Sequence, residues 1–199
     1  GGTGGISNAI ARSALSYGAE VVTETSVGNV IIKGGKAVGV ALENGDEIHA
    51  DTVISGLDPH RTYLGLIGEE NLESDLVTQL GHYKFRGSSG KVNLAVDKLP
   101  EFTCRPGDGP HLYGDVAIAP SVQYLEKAHD QAKYGDFSER PYINMVIPTL
   151  VDPTMAPPGK HVISCFVQYA PYDIKEGASY WPQRREAFGD AVVDTLTEY

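Results

Sequence analysis

The residues able to do chemistry in this chain are thinly spread, and their spacing excludes more than it assigns. None of the six histidines stands four residues from another, the spacing that brings two imidazoles to one metal on a helix face. Cys104 and Cys165 are distant and form no Cys-x-x-Cys, so neither a zinc site nor a disulfide framework is indicated, although the two could still meet in the fold. No Gly-x-Ser-x-Gly is present, which removes the nucleophile elbow of a hydrolase. His161 opens a strand pattern and fits a structural role. Asp152, Asp173 and the pair Glu69-Glu70 show no partner in the sequence and read as solvated. No catalytic acid, base or nucleophile can be named.

Three stretches invite a ligand. The run Gly1 to Gly5 precedes a helical pattern, and the free N–H groups of a helix start attract phosphate. The dinucleotide fingerprint is not met, however. Counted from Gly2, its third glycine would fall on Ser7, and no strand precedes it. A close-packed helix start is the better reading. Asp58-Pro59-His60-Arg61 fits a turn and helix cap, with His60 and Arg61 fitting solvated surface better than a contact to an anionic cofactor. Tyr169, Tyr172, Tyr180 and Trp181 suit packing better than a pocket.

The elements that would position these residues follow from periodicity. Ile6, Ile10, Ala14 and Tyr17 share one helical stripe that Gly18 would end. A short strand is expected at Ala19 to Thr23. Val30 to Lys33, Ala37 to Leu42 and Glu47 to Ala50 form a β-meander, because Gly34-Gly35 and Asn44-Gly45 suit tight hairpin turns. Thr52 to Ser55 is apolar without alternation, as in a strand buried on both faces of a parallel sheet, and ends in Ser55-Gly56.

Beyond Pro59 the pattern changes. Helices are expected through Tyr63, Leu64 and Ile67, around Leu72, Leu76 and Leu80, from Ser121 to about Lys133, and from Ser179 onward with Trp181, Phe188, Val192 and Leu196 on its apolar side. The loop Phe85 to Gly90 leads into a strand at Lys91 to Val96, where Val92, Leu94 and Val96 alternate with Lys91 and Asn93. Further strands are expected at Asp115 to Ile118, Tyr142 to Pro148 and His161 to Tyr169. The fold class is α+β: an incomplete nucleotide-binding α/β domain over 1–58, then a second domain over 59–199 with a mixed or antiparallel sheet and helices.

With 199 residues, a net charge of −10 and a pI near 5.0, the chain has ample material for a core and no basic surface for nucleic acid. Cysteine usage favours a reducing compartment. The chain begins Gly1-Gly2-Thr3 without Met and stops at Tyr199 inside a helical pattern, so it reads as an internal stretch of a longer protein.

Gly1-Gly2-Thr3-Gly4-Gly5-Ile6, the helix to Gly18-Ala19-Glu20, Leu42-Glu43-Asn44-Gly45 and Val53-Ile54-Ser55-Gly56-Leu57-Asp58-Pro59 together resemble the middle of phytoene-desaturase-like FAD-dependent oxidoreductases. Val92 to Pro100, Asp152 to Val162 and Gln168 to Tyr172 extend the resemblance over essentially the whole chain and narrow it to one branch of that family. The family's N-terminal Gly-x-Gly-x-x-Gly and its C-terminal glycine-rich segment are not in this sequence.

The resemblance implies a Rossmann-like flavoprotein that moves hydride from an apolar or amphipathic small-molecule substrate to FAD. It implies that Val27 lays its backbone against the adenine, that Ser55 and Gly56 end a strand beside the adenosine, and that Gly4 and Gly5 run near the flavin. It is compatible with a cytoplasmic protein (mitochondrial matrix in a eukaryote), with peripheral membrane contact and with a homodimer. The alternative from a different class is a non-enzymatic interaction or oligomerisation module.

Overall fold

A computed structural model describes residues 2–85 and 87–199. Arg86, in the loop expected before the first strand of the second sheet, lies outside them. The chain divides into two compact units, one of residues 10–85 and one of residues 1–9 with 86–199. Each combines helices with antiparallel strands, the α+β class expected.

The first unit is organised by local turn chemistry. Strands β1 (Val27–Lys33), β2 (Lys36–Leu42) and β3 (Glu47–His49) form an antiparallel sheet in the order β1-β2-β3. Gly34 and Gly35 close the first hairpin with φ of +57° and +74°, a conformation that costs a side chain but not glycine. Gly39 answers a different need. A Cβ there would sit 3.0 Å from His49 Cα and overlap the Ile48 carbonyl oxygen, so β2 and β3 approach this closely only because the side chain is missing.

Asp58 caps the next element as its sequence predicts. Its carboxylate accepts from Arg61 N–H at 3.0 Å and its carbonyl from Thr62 N–H at 2.9 Å. The helix that follows, His60–Ile67, is wider than expected: it is a π-helix, closed by an i to i+5 bond from Gly68 N–H to Tyr63 O at 3.0 Å. Strand β1 packs on it. That contact places this helix, and helix α2 (Ser74–His82), in the same unit as the meander rather than with the second sheet.

Two expected strands are absent. Residues 19–23 and 52–55 are not in a ladder, and Ile54 is 89 % exposed. The apolar run Thr52 to Ser55 requires neighbours on both sides to become a buried parallel strand. Among the described residues no strand lies beside it, so hydrophobic content alone leaves it outside any ladder.

The second unit holds the larger core. Strands β4 (Ser89–Val96), β5 (Val116–Ile118), β6 (Tyr142–Val146) and β7 (His161–Gln168) form an antiparallel sheet in the order β4-β7-β6-β5. Strict alternation sends Ile143, Met145, Ile163, Cys165 and Val167 to one face, where they are buried. Helix α4 (Trp181–Thr197) lays Phe188, Val192 and Leu196 against them, the stripe expected from their spacing. Helix α3 (Val122–Lys133) starts as predicted, with Ser121 Oγ accepting from Tyr124 N–H at 3.1 Å. Gly90 in β4 makes room for α4: a Cβ there would come within 2.6 Å of the Phe188 ring.

Helix α1 (Gly2–Ser16) ends at Gly18, whose φ of +86° and N–H bond to Leu15 O make the expected C-terminal stop. It has no buried residue.

Candidate functional site

Val27 begins β1, the edge strand of the three-stranded sheet, and is 38 % exposed. The carbonyl of Ser26 points inward and accepts from Glu43 N–H at 3.0 Å. In a trans peptide the carbonyl and the following N–H point opposite ways. The Val27 N–H therefore faces away from β2, toward the free edge, where an edge strand can donate to a ligand. The register slips between Val27 and Asn29, leaving Gly28 as the extra residue of a bulge, a common way of re-aiming a strand end.

Ser55 and Gly56 lie in the same unit, just ahead of the π-helix on which β1 packs. Ser55 Oγ is committed locally: it is 2.7 Å from Thr62 Oγ1 and accepts from Leu57 N–H at 3.2 Å. This ties the segment to the helix and leaves its backbone, not its hydroxyl, for a ligand. A Cβ on Gly56 would meet nothing within 4 Å, so the approach to this backbone is open. His60 sits edge-on to Phe85 with ring centroids 6.1 Å apart, and Arg61 lies 3.6 Å from Asp58. Both are occupied with their own surface.

Gly4 and Gly5 are inside α1, not in a loop before it, and Cβ atoms on them would also meet nothing within 4 Å. The start of this helix already carries an anion. The Asp152 carboxylate accepts from Thr154 N–H at 3.1 Å and from Thr154 Oγ1 at 2.5 Å, and the Gly2 N–H at the helix start lies close enough to favour its charged form. The Thr154 bonds, foremost, hold the Asp152 carboxyl below the usual carboxylate range. Asp152 is thus no idle solvated acid, contrary to its sequence reading, and a phosphate on the same N–H would meet a like charge. Its chief partner, Thr154, is two residues away, a local Asp-Pro-Thr turn that the sequence reading missed; only the start of α1, about 150 residues distant, had no local signal.

A second surface was only half visible in the sequence. Among the described residues, the face of the four-stranded sheet away from α4 carries none of the fully buried strand residues, and its central residue, Phe166, is 41 % exposed. Register sets three rows: Ser89, Gln168 and Tyr142; Lys91, Phe166 and Asn144; Asn93, Ser164 and Val146. Asn93 Oδ1 accepts from Ser164 Oγ at 2.9 Å. The alternation of Lys91 and Asn93 with Val92 and Leu94 pointed to one strand of this face, but not to its neighbours.

The remaining candidates resolve into structure. His161 Nδ1 lies 3.2 Å from Thr149 Oγ1. Trp181 donates to Pro171 O and Tyr172 O and stacks edge-on with Phe188 at 5.8 Å. Cys104 is exposed and Cys165 buried, both as free thiols. Among the described residues, no cluster of His, Cys, Asp and Glu could hold a metal, and no helix is long and apolar enough to cross a membrane.

Comparison with known proteins bears out the resemblance. The chain is 36 % identical over 206 residues to pyridine nucleotide-disulfide oxidoreductase domain-containing protein 2 of Mus musculus, covering all of this chain and 36 % of that protein. It is 29 % identical over 200 residues to prolycopene isomerase 2, chloroplastic, of an Oncidium hybrid cultivar, covering 98 % of this chain and 31 % of the relative. It is 26 % identical over 168 residues to the neurosporene-forming phytoene desaturase of Rhodobacter capsulatus, covering 80 % and 29 % respectively. A solved oxidoreductase from Methanosarcina mazei superposes with a TM-score of 0.64 at 23 % identity, over 96 % of this chain and 37 % of that one, which shows a shared fold. No protein-family profile matches the chain. The chain spans about a third of the length of the curated relatives it matches.

Proposed function

We propose that the chain is the central part of a FAD-dependent oxidoreductase of the phytoene-dehydrogenase-like kind, which takes hydride from an apolar or amphipathic organic substrate. The observation that carries this reading is the outward Val27 N–H on a free sheet edge, in one unit with the open backbone of Ser55 and Gly56. These are the positions at which the resemblance puts adenine and adenosine. Similarity to oxidoreductases along the whole chain supports it.

FAD, when bound, supplies the hydride acceptor. The chain's own residues bind and orient. Val27 donates a backbone N–H to the adenine edge, and Ser55 and Gly56 let the adenosine lie close because no side chain fills the space over Gly56. The resemblance gives Gly4 and Gly5 to the flavin, and a Cβ on either would meet nothing within 4 Å. The face of the four-stranded sheet away from α4 is the substrate-facing surface, since it is the less buried side of the layer.

The test is an absorption spectrum of the protein purified at the full length of its relatives, beside the present chain. An oxidised-flavin band near about 450 nm is expected in the longer protein. No band, even after reconstitution with FAD, would overturn the reading. It would leave an interaction module, for which the exposed Ile6 and Ile10 of α1, 64 % and 65 % accessible, would be the contact surface.

A further inference from the structure

The open face of the four-stranded sheet has a composition that a hydrocarbon ligand would not use. Its outward residues are Ser89, Lys91, Asn93 and Ala95 of β4, Val162, Ser164, Phe166 and Gln168 of β7, Tyr142, Asn144 and Val146 of β6, and Ala117 of β5. Not one is acidic, in a chain whose net charge is −10. Lys91 is the one charge among them, and among the described residues no carboxylate pairs with it.

The register fixes what surrounds that charge. Lys91, Phe166 and Asn144 stand in one row on adjacent strands, so the lysine and the amide flank the ring with their Cα atoms about 10 Å apart. Above and below Phe166 on its own strand lie Ser164 and Gln168. Asn93 keeps its amide nitrogen free while its oxygen is bound by Ser164, and the Asn144 side chain has no hydrogen-bond partner among the described residues. Asparagine is disfavoured in strands, so Asn93 and Asn144 on this face are not there for strand propensity, and Phe166 between them is 41 % exposed. Together they form a rigid aromatic platform with hydrogen-bonding groups around it and one cation beside it.

We propose that this face binds an amphipathic organic anion, with its apolar body on Phe166 and its anionic group on Lys91 Nζ within reach of the amides of Asn93 or Asn144. That the anion is the substrate rests on the oxidoreductase reading above; that the face selects an anion does not. Desolvation against the ring strengthens the ion pair, and the absence of carboxylates removes the competing repulsion. The substrate class follows: a molecule carrying a carboxylate or similar group, not a pure hydrocarbon.

The experiment uses two probes of the same ring system, 2-naphthoate and naphthalene-2-methanol, titrated at low salt while the amide signals of Lys91, Phe166 and Asn144 are followed by NMR. The anion is expected to shift these signals and to bind about tenfold more tightly than the alcohol, the ratio that one additional charge-assisted contact supplies. Lys91→Met should abolish the preference and leave the alcohol unaffected, whereas Phe166→Ala should weaken both. Equal affinity for the two probes, or no shift at the three residues, overturns the proposal. So does broadening of the same signals with the concentration of the chain itself, which would assign the face to a second copy. Neither probe requires flavin. Anion selectivity without flavin in the full-length protein would sink the oxidoreductase reading alone, and flavin without selectivity would sink this one alone.

Discussion

Ser138 and Tyr169 hold each other by a reciprocal pair of hydrogen bonds. The Ser138 N–H donates to Tyr169 O at 2.9 Å, and Ser138 Oγ accepts from the Tyr169 N–H at 3.0 Å. The same hydroxyl donates to Ala128 O at 2.6 Å, so one fully buried side chain ties the end of β7 to α3.

Ser138→Ala should therefore cost about 1–3 kcal/mol, because it leaves the Tyr169 N–H without an acceptor and removes the tie to Ala128 O. Urea unfolding should show a lower midpoint with an unchanged slope. An unchanged midpoint would mean that water replaces the hydroxyl without loss.

Gly39→Ala should destabilise the meander more than Gly45→Ala in the neighbouring turn. The new methyl at position 39 collides with backbone of β3, whereas at Gly45, with φ of +94°, it meets nothing within 4 Å and only the left-handed conformation is penalised. The turn variant should cost about 1 kcal/mol. Hydrogen exchange at β2 and β3 amides distinguishes the two, and equal protection in both variants would show that β3 simply shifts aside.

Thiol labelling should separate the cysteines. Burial pushes the Cys165 thiol up to about 11 and removes it from reagent, while Cys104 is exposed. One thiol per chain should react under native conditions at pH 8 and two in denaturant. Two fast native thiols would show that the face between the sheet and α4 opens readily.

Alkali should destabilise the second unit through Tyr124. Its hydroxyl donates to Pro141 O at 2.8 Å, and burial, aided by nearby negative charge on Tyr199 and against Arg140, raises its pKa to about 12. The folded chain keeps this proton after the unfolded chain, titrating near about 10, has lost it. Its contribution is complete below pH 10 and disappears as pH rises toward 12. Denaturation midpoints should fall more steeply over that range in the native chain than in Tyr124→Phe. Parallel curves would assign the alkaline loss to other groups.

Val27→Pro removes the outward N–H while sparing the ladder, since an edge strand tolerates proline where the N–H faces solvent. On the proposed function, in a protein of the relatives' full length it should lower flavin retention with little change in the unfolding midpoint. Undiminished flavin content would remove Val27 from the cofactor site.

Much of this protein was legible along the chain. The hairpin at Gly34-Gly35, the Asp58 and Ser121 caps, the Gly18 stop and the α4 stripe all depend on residues a few positions apart, and those interactions form wherever the chain goes. The family resemblance rests on the same short blocks. Elements that need distant partners were not legible. Thr52 to Ser55 has the composition of a buried strand but, among the described residues, no neighbour to pair with, and it joins no ladder. Asp152 read as solvated although its Thr154 partner is local; that the start of α1 also comes near it was decided by folding alone. Lys91, Phe166 and Asn144 come from three strands separated by tens of residues, and only the antiparallel register sets them in one row. A strand's sequence says which residues share a face; which strands lie side by side is decided by the free energy of closing the whole sheet over α4, and so by tertiary structure alone.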